Sequence, residues 1–234
     1  MEIRTVAQSV STNADILALV ANGATEGLWL RAEMQTGGRG RLDRVWESPP
    51  GNLYCSTLIR LQPGDPPPPT LALVAAVSVW QAVEMVLPGK ARIKWPNDIL
   101  VGPAKLSGML LERTRDAVVL GIGLNIMAPP VLPDRATTSL WAHGAVDADA
   151  TSILSTLAEI FAARLSQWRT YGLDPIRTLW LKAAHAPGTA IRAHLPDGTE
   201  LSGHFADLDA GGALILDLAD GTRRTIHAGD IFLL

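Results

Sequence analysis

Residues 91–124 read ARIKWPNDILVGPAKLSGMLLERTRDAVVLGIGL, and this stretch decides the fold class. It divides into four short β-like pieces at 91–95, 99–101, 106–112 and 117–122. Tight turns separate them, which predicts neighbouring strands of one central sheet. Pro96 disfavours helical geometry at Trp95, so Asn97-Asp98 reads as a turn presenting polar side chains. Strict alternation along the third piece puts Lys105, Ser107, Met109 and Leu111 on one face. Leu106, Gly108, Leu110 and Glu112 then take the other. A glycine inside a strand, as at Gly108, marks close approach of a ligand or another backbone. Gly121 and Gly123 leave room on one face of the last piece, and Asn125 ends it with an amide.

Toward the N-terminus, residues 3–6 predict a short strand. Ser11-Thr12-Asn13 supplies helix-capping side chains ahead of Ile16, Leu17, Leu19 and Val20, and Gly23 closes that helix. Strands follow at 28–34 and 53–61, separated by a Gly-, Arg- and Pro-rich loop at 37–50. Residues 63–69 form a stiff proline connection, and 70–87 a buried helix. That apolar run is too short and too interrupted, by Ser78, Gln81 and Glu84, to span a bilayer. Toward the C-terminus, a proline-rich loop covers 125–138. Helices follow at 152–171, with Leu154, Leu157, Ile160, Phe161 and Leu165 on one face, and at 175–184. From Gly188 the texture changes to short strands at 190–194, 200–208, 213–218, 222–227 and 231–234. Asp197-Gly198, Gly211-Gly212 and Asp220-Gly221 supply turns between them. The expected architecture is α+β: a mixed central sheet with flanking helices over 1–186, then a small β-barrel over 187–234.

Composition narrows the function. The 234 residues carry a net charge of −3, without the basic surplus of a general nucleic-acid binder. No basic segment, apolar run and cleavage site opens the chain, and the single cysteine cannot form an internal disulfide. Both suit a reducing cytoplasm. Cys55 lies in an apolar strand and reads as structural. The five histidines lack metal-ligand spacing.

Three constellations could carry chemistry. In Gln35-Thr36-Gly37-Gly38-Arg39-Gly40-Arg41, glycines let the backbone approach a ligand and arginines neutralise phosphate or carboxylate. It matches neither a Walker A loop nor a Rossmann fingerprint, and a surface loop with solvated arginines fits it equally well. In Lys94-Trp95-Pro96-Asn97-Asp98, a lysine and an aspartate flank one turn, where they could hold a phosphate and Mg²⁺; a plain strand–turn–strand with Trp95 in the core is the alternative. Lys105, at the start of a strand beside a cleft, could reach a developing negative charge, or stand solvated at an edge.

Taken in order, these elements resemble the catalytic core of the biotin–protein ligase family. The resemblance rests on Ser11-Thr12-Asn13, on Gln35 with Gly38 to Arg41 and Trp46, and on Lys94 to Asp98. It continues through Lys105 to Glu112, Gly121 to Asn125 and the C-terminal Ala228-Gly229-Asp230-Ile231. It implies a class II aminoacyl-tRNA synthetase-like catalytic domain followed by an SH3-like barrel. It also implies synthesis of biotinyl-5′-AMP from biotin and ATP with Mg²⁺, and transfer of biotin to a lysine of a biotin carboxyl carrier protein. By the same resemblance, Ser11, Thr12, Asn13, Gln35, Arg39, Gly40, Arg41, Lys105, Gly108 and Gly123 line the biotin site. Arg39, Gly40 and Arg41 close over the adenylate, Trp46 meets the adenine, and Lys94, Asn97 and Asn125 sit near the nucleotide. Lys105 touches biotin and the reacting phosphate, acting with Arg39 and Arg41 as the catalytic group, and Asp98 is the candidate Mg²⁺ ligand.

Two departures stand out. Leu42-Asp43-Arg44 follows the loop, so Asp43 adds a negative charge beside the proposed phosphate site. Ser11 lies too near Met1 for the winged helix of repressor-type members, so a ligase without DNA binding is expected, as a monomer or homodimer. Lipoate and octanoyl transferases share the catalytic fold but carry an Arg-Arg-x-x-Gly-Gly type loop. A module that binds biotinyl-AMP without transfer is the non-enzymatic alternative.

Overall fold

The computed structural model describes residues 1–132 and 135–234, with the Asp43 side chain also outside the described residues. The expected negative charge at Asp43 and the middle of the 125–138 loop therefore fall outside what is described. In chain order the elements are β1 (Glu2–Ser9), α1 (Thr12–Ala21), β2 (Leu28–Gln35), β3 (Leu53–Arg60), α2 (Leu71–Glu84), β4 (Ala91–Lys94), β5 (Asp98–Val101), β6 (Ala104–Arg113) and β7 (Ala117–Leu124). Then come α3 (Ala150–Tyr171), α4 (Asp174–Ala183), β8 (Ala190–His194), β9 (Glu200–Leu208), β10 (Leu214–Leu218), β11 (Arg223–Ile226) and β12 (Asp230–Leu233).

The first seven strands form one mixed sheet, ordered β1-β2-β3-β7-β6-β5-β4, in which β1 runs parallel to β2 and the other pairs are antiparallel. Its two faces are covered unequally. On β7, Val118, Leu120, Ile122 and Leu124 point into a core shared with α2, α3 and α4. Ala117 and Val119 point to the opposite face, where Ile16 and Val20 of α1 cover them. Beyond α1 that second face holds Gly121 and Gly123, and it is the floor of the cleft described below. Helix α2 is buried at ten of its fourteen positions, which explains why its sequence lacks a clear polar stripe.

The last five strands form a second, wholly antiparallel sheet, ordered β11-β10-β9-β8-β12, as an SH3-like unit requires. The change of texture at Gly188 does not mark a break in the core. Ile191, Phe205, Leu214, Leu216 and Ile231 belong to the same buried cluster as α2 to α4. Trp180 of α4 meets Phe205 edge-on at 6.2 Å. The Trp95 indole donates to the Gly212 carbonyl at 3.1 Å, and Arg177 to that of Leu208 at 2.8 Å.

Cys55 is 1% exposed on β3 and faces this core. Burial pushes its thiol well above the usual range. It is structural, as its apolar surroundings in the sequence implied. In the native protein it is expected to resist a thiol-specific reagent over hours, with labelling appearing only across the denaturant unfolding transition. Rapid labelling without denaturant would contradict this packing.

Candidate functional site

A cavity of about 360 Å³ opens between the bare face of the seven-stranded sheet and the edge of the second sheet. Of the residues singled out from sequence, Ser11, Thr12, Asn13, Gln35, Arg39, Gly40, Arg41 and Trp46 line it from the N-terminal side. Lys94, Asn97, Asp98, Lys105, Gly108 and Gly123 line it from the sheet.

One end is a polar network. Ser11 caps α1, accepting from the Ala14 amide, and so fixes where Thr12 and Asn13 enter the site. Gln35 Oε1 accepts from the Thr12 amide at 2.8 Å and lies 3.0 Å from its hydroxyl. Gln35 Nε2 donates to Ser48 Oγ at 3.1 Å, which fixes the orientation of the amide. Ser56, on β3 directly opposite Gly121, lies 2.7 Å from Thr12 Oγ1 and 2.6 Å from Asn13 Oδ1. The Asn13 amide rests on Gly121, where a side chain would overlap it. The Trp46 ring rests on Gly123 in the same way. The alternate glycines therefore make room as their spacing implied, and Asn13 and Trp46 fill it.

The Gly/Arg loop folds back as a small hairpin. Trp46 donates its amide to Gly38 O at 2.9 Å and Gly40 to Arg44 O at 2.7 Å, with Leu42 in the left-handed region at φ 57°. Gly38 is required here: a Cβ would run into the Trp46 carbonyl and the Gln35 and Ser48 side chains. The hairpin is tied to the second sheet. Arg41 donates to Gly229 O at 3.2 Å and to Asp230 Oδ1 at 3.3 Å, Arg44 pairs with the other Asp230 oxygen, and Arg41 also reaches Asn97 Oδ1 at 3.4 Å.

Strict alternation fails on β6. Ile99 faces Ser107 but Leu100 faces Lys105, so Leu106 is the extra residue of a β-bulge. Leu106 and Met109 both turn into the core, and the Lys105 ammonium comes to lie against Gly108. The reading that placed Lys105 with Met109, opposite Gly108, is thus corrected. Asn125 lies next to the bulge. This residue is 2% exposed and does not line the cavity. Its amide N–H donates to Leu106 O at 2.9 Å, and its side chain to Lys105 O at 3.4 Å and Thr138 O at 3.0 Å. It satisfies the carbonyls of Leu106, Lys105 and Thr138 where β7 ends.

Asp98 is paired within the protein. Its carboxylate is 5% exposed, with Lys105 Nζ at 2.6 Å from one oxygen and Lys94 Nζ at 3.2 Å from the other. Burial alone would raise its pKa; the two ammonium groups outweigh that and hold it below the usual carboxylate range. Each oxygen thus faces an ammonium group, and a cation here would compete with both lysines. Among the described residues no group of three His, Cys, Asp or Glu side chains is placed to hold an ion. Lys94 spends a further proton on Ile231 O at 2.9 Å, while Lys105 also faces the Trp46 ring at 5.3 Å.

Residues 9–126 match the biotin/lipoate A/B protein ligase family, and 188–234 match the biotin protein ligase C-terminal domain. The chain belongs to the biotin/lipoate A/B protein ligase family. Among curated members of the family, the biotin–[acetyl-CoA-carboxylase] ligase of Paracoccus denitrificans is 37% identical over 97% of this chain and 98% of its own length. That of Mycobacterium tuberculosis is 35% identical, over 98% and 88%. The fold matches the biotin protein ligase of Aquifex aeolicus in complex with biotin and ATP, with a TM-score of 0.87 at 24% identity, over 100% of this chain and 98% of that one. The Leishmania major biotin protein ligase in complex with biotinyl-5-AMP matches with a TM-score of 0.71 at 25% identity, over 97% and 99%.

Several residues at this family site were given no role from sequence. Ser56 and Glu112 buttress Thr12 and Asn13, and Asp230 and Phe232 bring the second sheet to the cavity. Ser56 sits in an unremarkable strand, and Asp230 was visible in the Ala228-Gly229-Asp230-Ile231 motif without a role. Glu112 was visible in its motif but carried no partner there.

Replacing Asp98 by Asn is expected to cost about 3–5 kcal/mol in urea unfolding at pH 7, since it leaves two lysines around a neutral group. The folded carboxyl titrates below its ordinary 3.8. Its contribution is therefore complete above that value and is lost as pH falls through the folded pKa. The gap between wild type and Asp98→Asn should narrow in that acid range. A constant gap down to full protonation would refute the pairing as its source.

Proposed function

We propose that this chain is an ATP-dependent biotin–protein ligase working at the cavity described above. In the first step a biotin carboxylate oxygen attacks the α-phosphorus of ATP. An O–P bond forms and pyrophosphate leaves, giving biotinyl-5′-AMP. In the second step a deprotonated lysine amine of a biotin carboxyl carrier protein attacks the acyl carbon. An amide forms, AMP leaves, and the amine gives up its remaining extra proton to solvent.

The observation that carries this reading is the composition of the two ends of one cavity. One end holds the uncharged polar set of Thr12, Asn13 and Gln35, suited to a neutral hydrogen-bonding ring. The other gathers Arg39, Arg41, Arg44, Lys94 and Lys105, against Asp98 and Asp230. That excess of positive charge suits a carboxylate meeting a polyphosphate, whose mutual repulsion is the main barrier to bringing them together. Lys105 and the two arginines of the hairpin, Arg39 and Arg41, are the charges we assign to the reacting phosphate. Trp46 offers an aromatic face for the adenine. Mg²⁺ comes with the triphosphate, and none of the steps assigned to these residues passes through it. The hairpin screens the mixed anhydride from water.

We read 1–186 as the catalytic unit and 187–234 as the barrel. We expect neither nucleic acid nor membrane as a partner, and a monomer or homodimer; among the described residues no helix is long and apolar enough to cross a membrane. A lipoate- or octanoate-type activity draws no support from a specific contact.

Incubation with ATP, Mg²⁺, biotin and a carrier domain should add one biotin to one carrier lysine, seen by mass spectrometry, with lipoate inert. Modification by lipoate instead, or none at all, would overturn the assignment. Lys105→Ala should lower biotin-dependent pyrophosphate exchange by about 100-fold or more. It should also lose some stability, because Asp98 then keeps only Lys94. Undiminished exchange would remove Lys105 from the reaction.

A further inference from the structure

Glu112 lies outside the cavity lining, yet it touches both of the site's functional ends. Its Oε2 accepts from Asn13 Nδ2 at 2.7 Å, and its Oε1 faces Arg39 Nη2 at 3.7 Å. A carboxylate only accepts hydrogen bonds, so Asn13 must turn its NH₂ toward Glu112 and its Oδ1 toward Ser56. Asn13 Oδ1 has no proton to give. The 2.6 Å contact between the two therefore takes the single proton of the Ser56 hydroxyl. Ser56 then has only lone pairs for Thr12, and their 2.7 Å contact takes its proton from Thr12. The Thr12 hydroxyl proton is thereby drawn away from Gln35 Oε1, which keeps the Thr12 amide N–H and one free lone pair.

We propose that Glu112 is a positioning residue that fixes the direction of the hydrogen-bond chain Glu112–Asn13–Ser56–Thr12, so that its cavity end offers acceptors to the N–H groups of a ligand. Without the carboxylate, Asn13 is free to reverse, the Ser56 proton is released toward Thr12, and the Thr12 proton returns to Gln35. The lone pair on Gln35 is then occupied before a ligand arrives. The direction of the chain matches a ring with outward N–H donors, such as the cyclic urea of biotin, and opposes a ring with acceptors alone. This role rests on the biotin reading given above and adds to it the source of the polarity.

The test compares wild type, Glu112→Ala and Glu112→Gln. Biotin affinity is measured by calorimetry without nucleotide, and steady-state constants are measured for both substrates. Glu112→Ala should weaken biotin binding and raise KM for biotin by about tenfold, the scale of one hydrogen bond to a charged group. KM for ATP, and kcat at saturating biotin, should stay within about threefold, on the scale of a half-exposed ion pair with Arg39. Glu112→Gln, whose carbonyl can still accept from Asn13, should recover most of the biotin affinity. A loss spread equally over biotin, ATP and kcat would show a merely structural role and overturn the proposal. So would an Ala variant that binds biotin like wild type, or a Gln variant as weak as Ala. If wild type itself does not bind biotin, the functional reading fails first and takes this role with it.

Discussion

Strand β7 presents nothing larger than hydrogen to the cleft at Gly121 and Gly123, while packing Leu120, Ile122 and Leu124 into the core behind. The rest of the site is arranged around that bare strip. The Asn13 amide and the Trp46 ring can come down onto the sheet only because no Cβ stands there. Gly108, facing Gly123 across the ladder, extends the strip to β6 and receives the Lys105 side chain. A methyl group on this floor would raise one of these neighbours and with it the residues it contacts.

The charged end obeys a different constraint. Lys105 is brought to the cavity by the bulge at Leu106, and Asn125 and the 136–138 segment hydrogen-bond the backbone of Lys105 and Leu106. Asp98 then holds Lys105 and Lys94 together in a nearly dry setting. A carboxylate shared by two lysines leaves one net positive charge there. Were Lys105 drawn away, Asp98 would keep Lys94 and not be left as an unpaired buried charge.

Much of this was legible in the sequence, and the failures have physical causes. Element positions followed from apolar spacing and turn residues: the strands at 190–194 and 200–208 end where Asp197-Gly198 and Gly211-Gly212 say they should. The glycines at 121 and 123 leave room on one face as read, while at Gly108 side chains of Lys105 and Trp46 approach, not a backbone. Alternation failed on β6, because an extra residue in a ladder is decided by the partner strand and leaves no local trace. Asp98 and Asn125 were assigned to ligands as polar residues in a motif. The structure shows partners for both inside the protein: two lysines for Asp98, and the Lys105 and Thr138 carbonyls for Asn125. Glu112, Ser56 and Asp230 depend on contacts across 99, 43 and 189 positions of chain, which no window of sequence displays.

The second sheet is fastened to the cleft at three points. Ile231 O holds Lys94, Gly229 O holds Arg41, and the two oxygens of Asp230 divide between Arg41 and Arg44. All three points lie within residues 229–231, at the start of one short edge strand. The barrel is therefore a handle on the hairpin. Any shift of β12 reaches Arg41 and Arg44 together, because Gly229 and Asp230 hold both arginines.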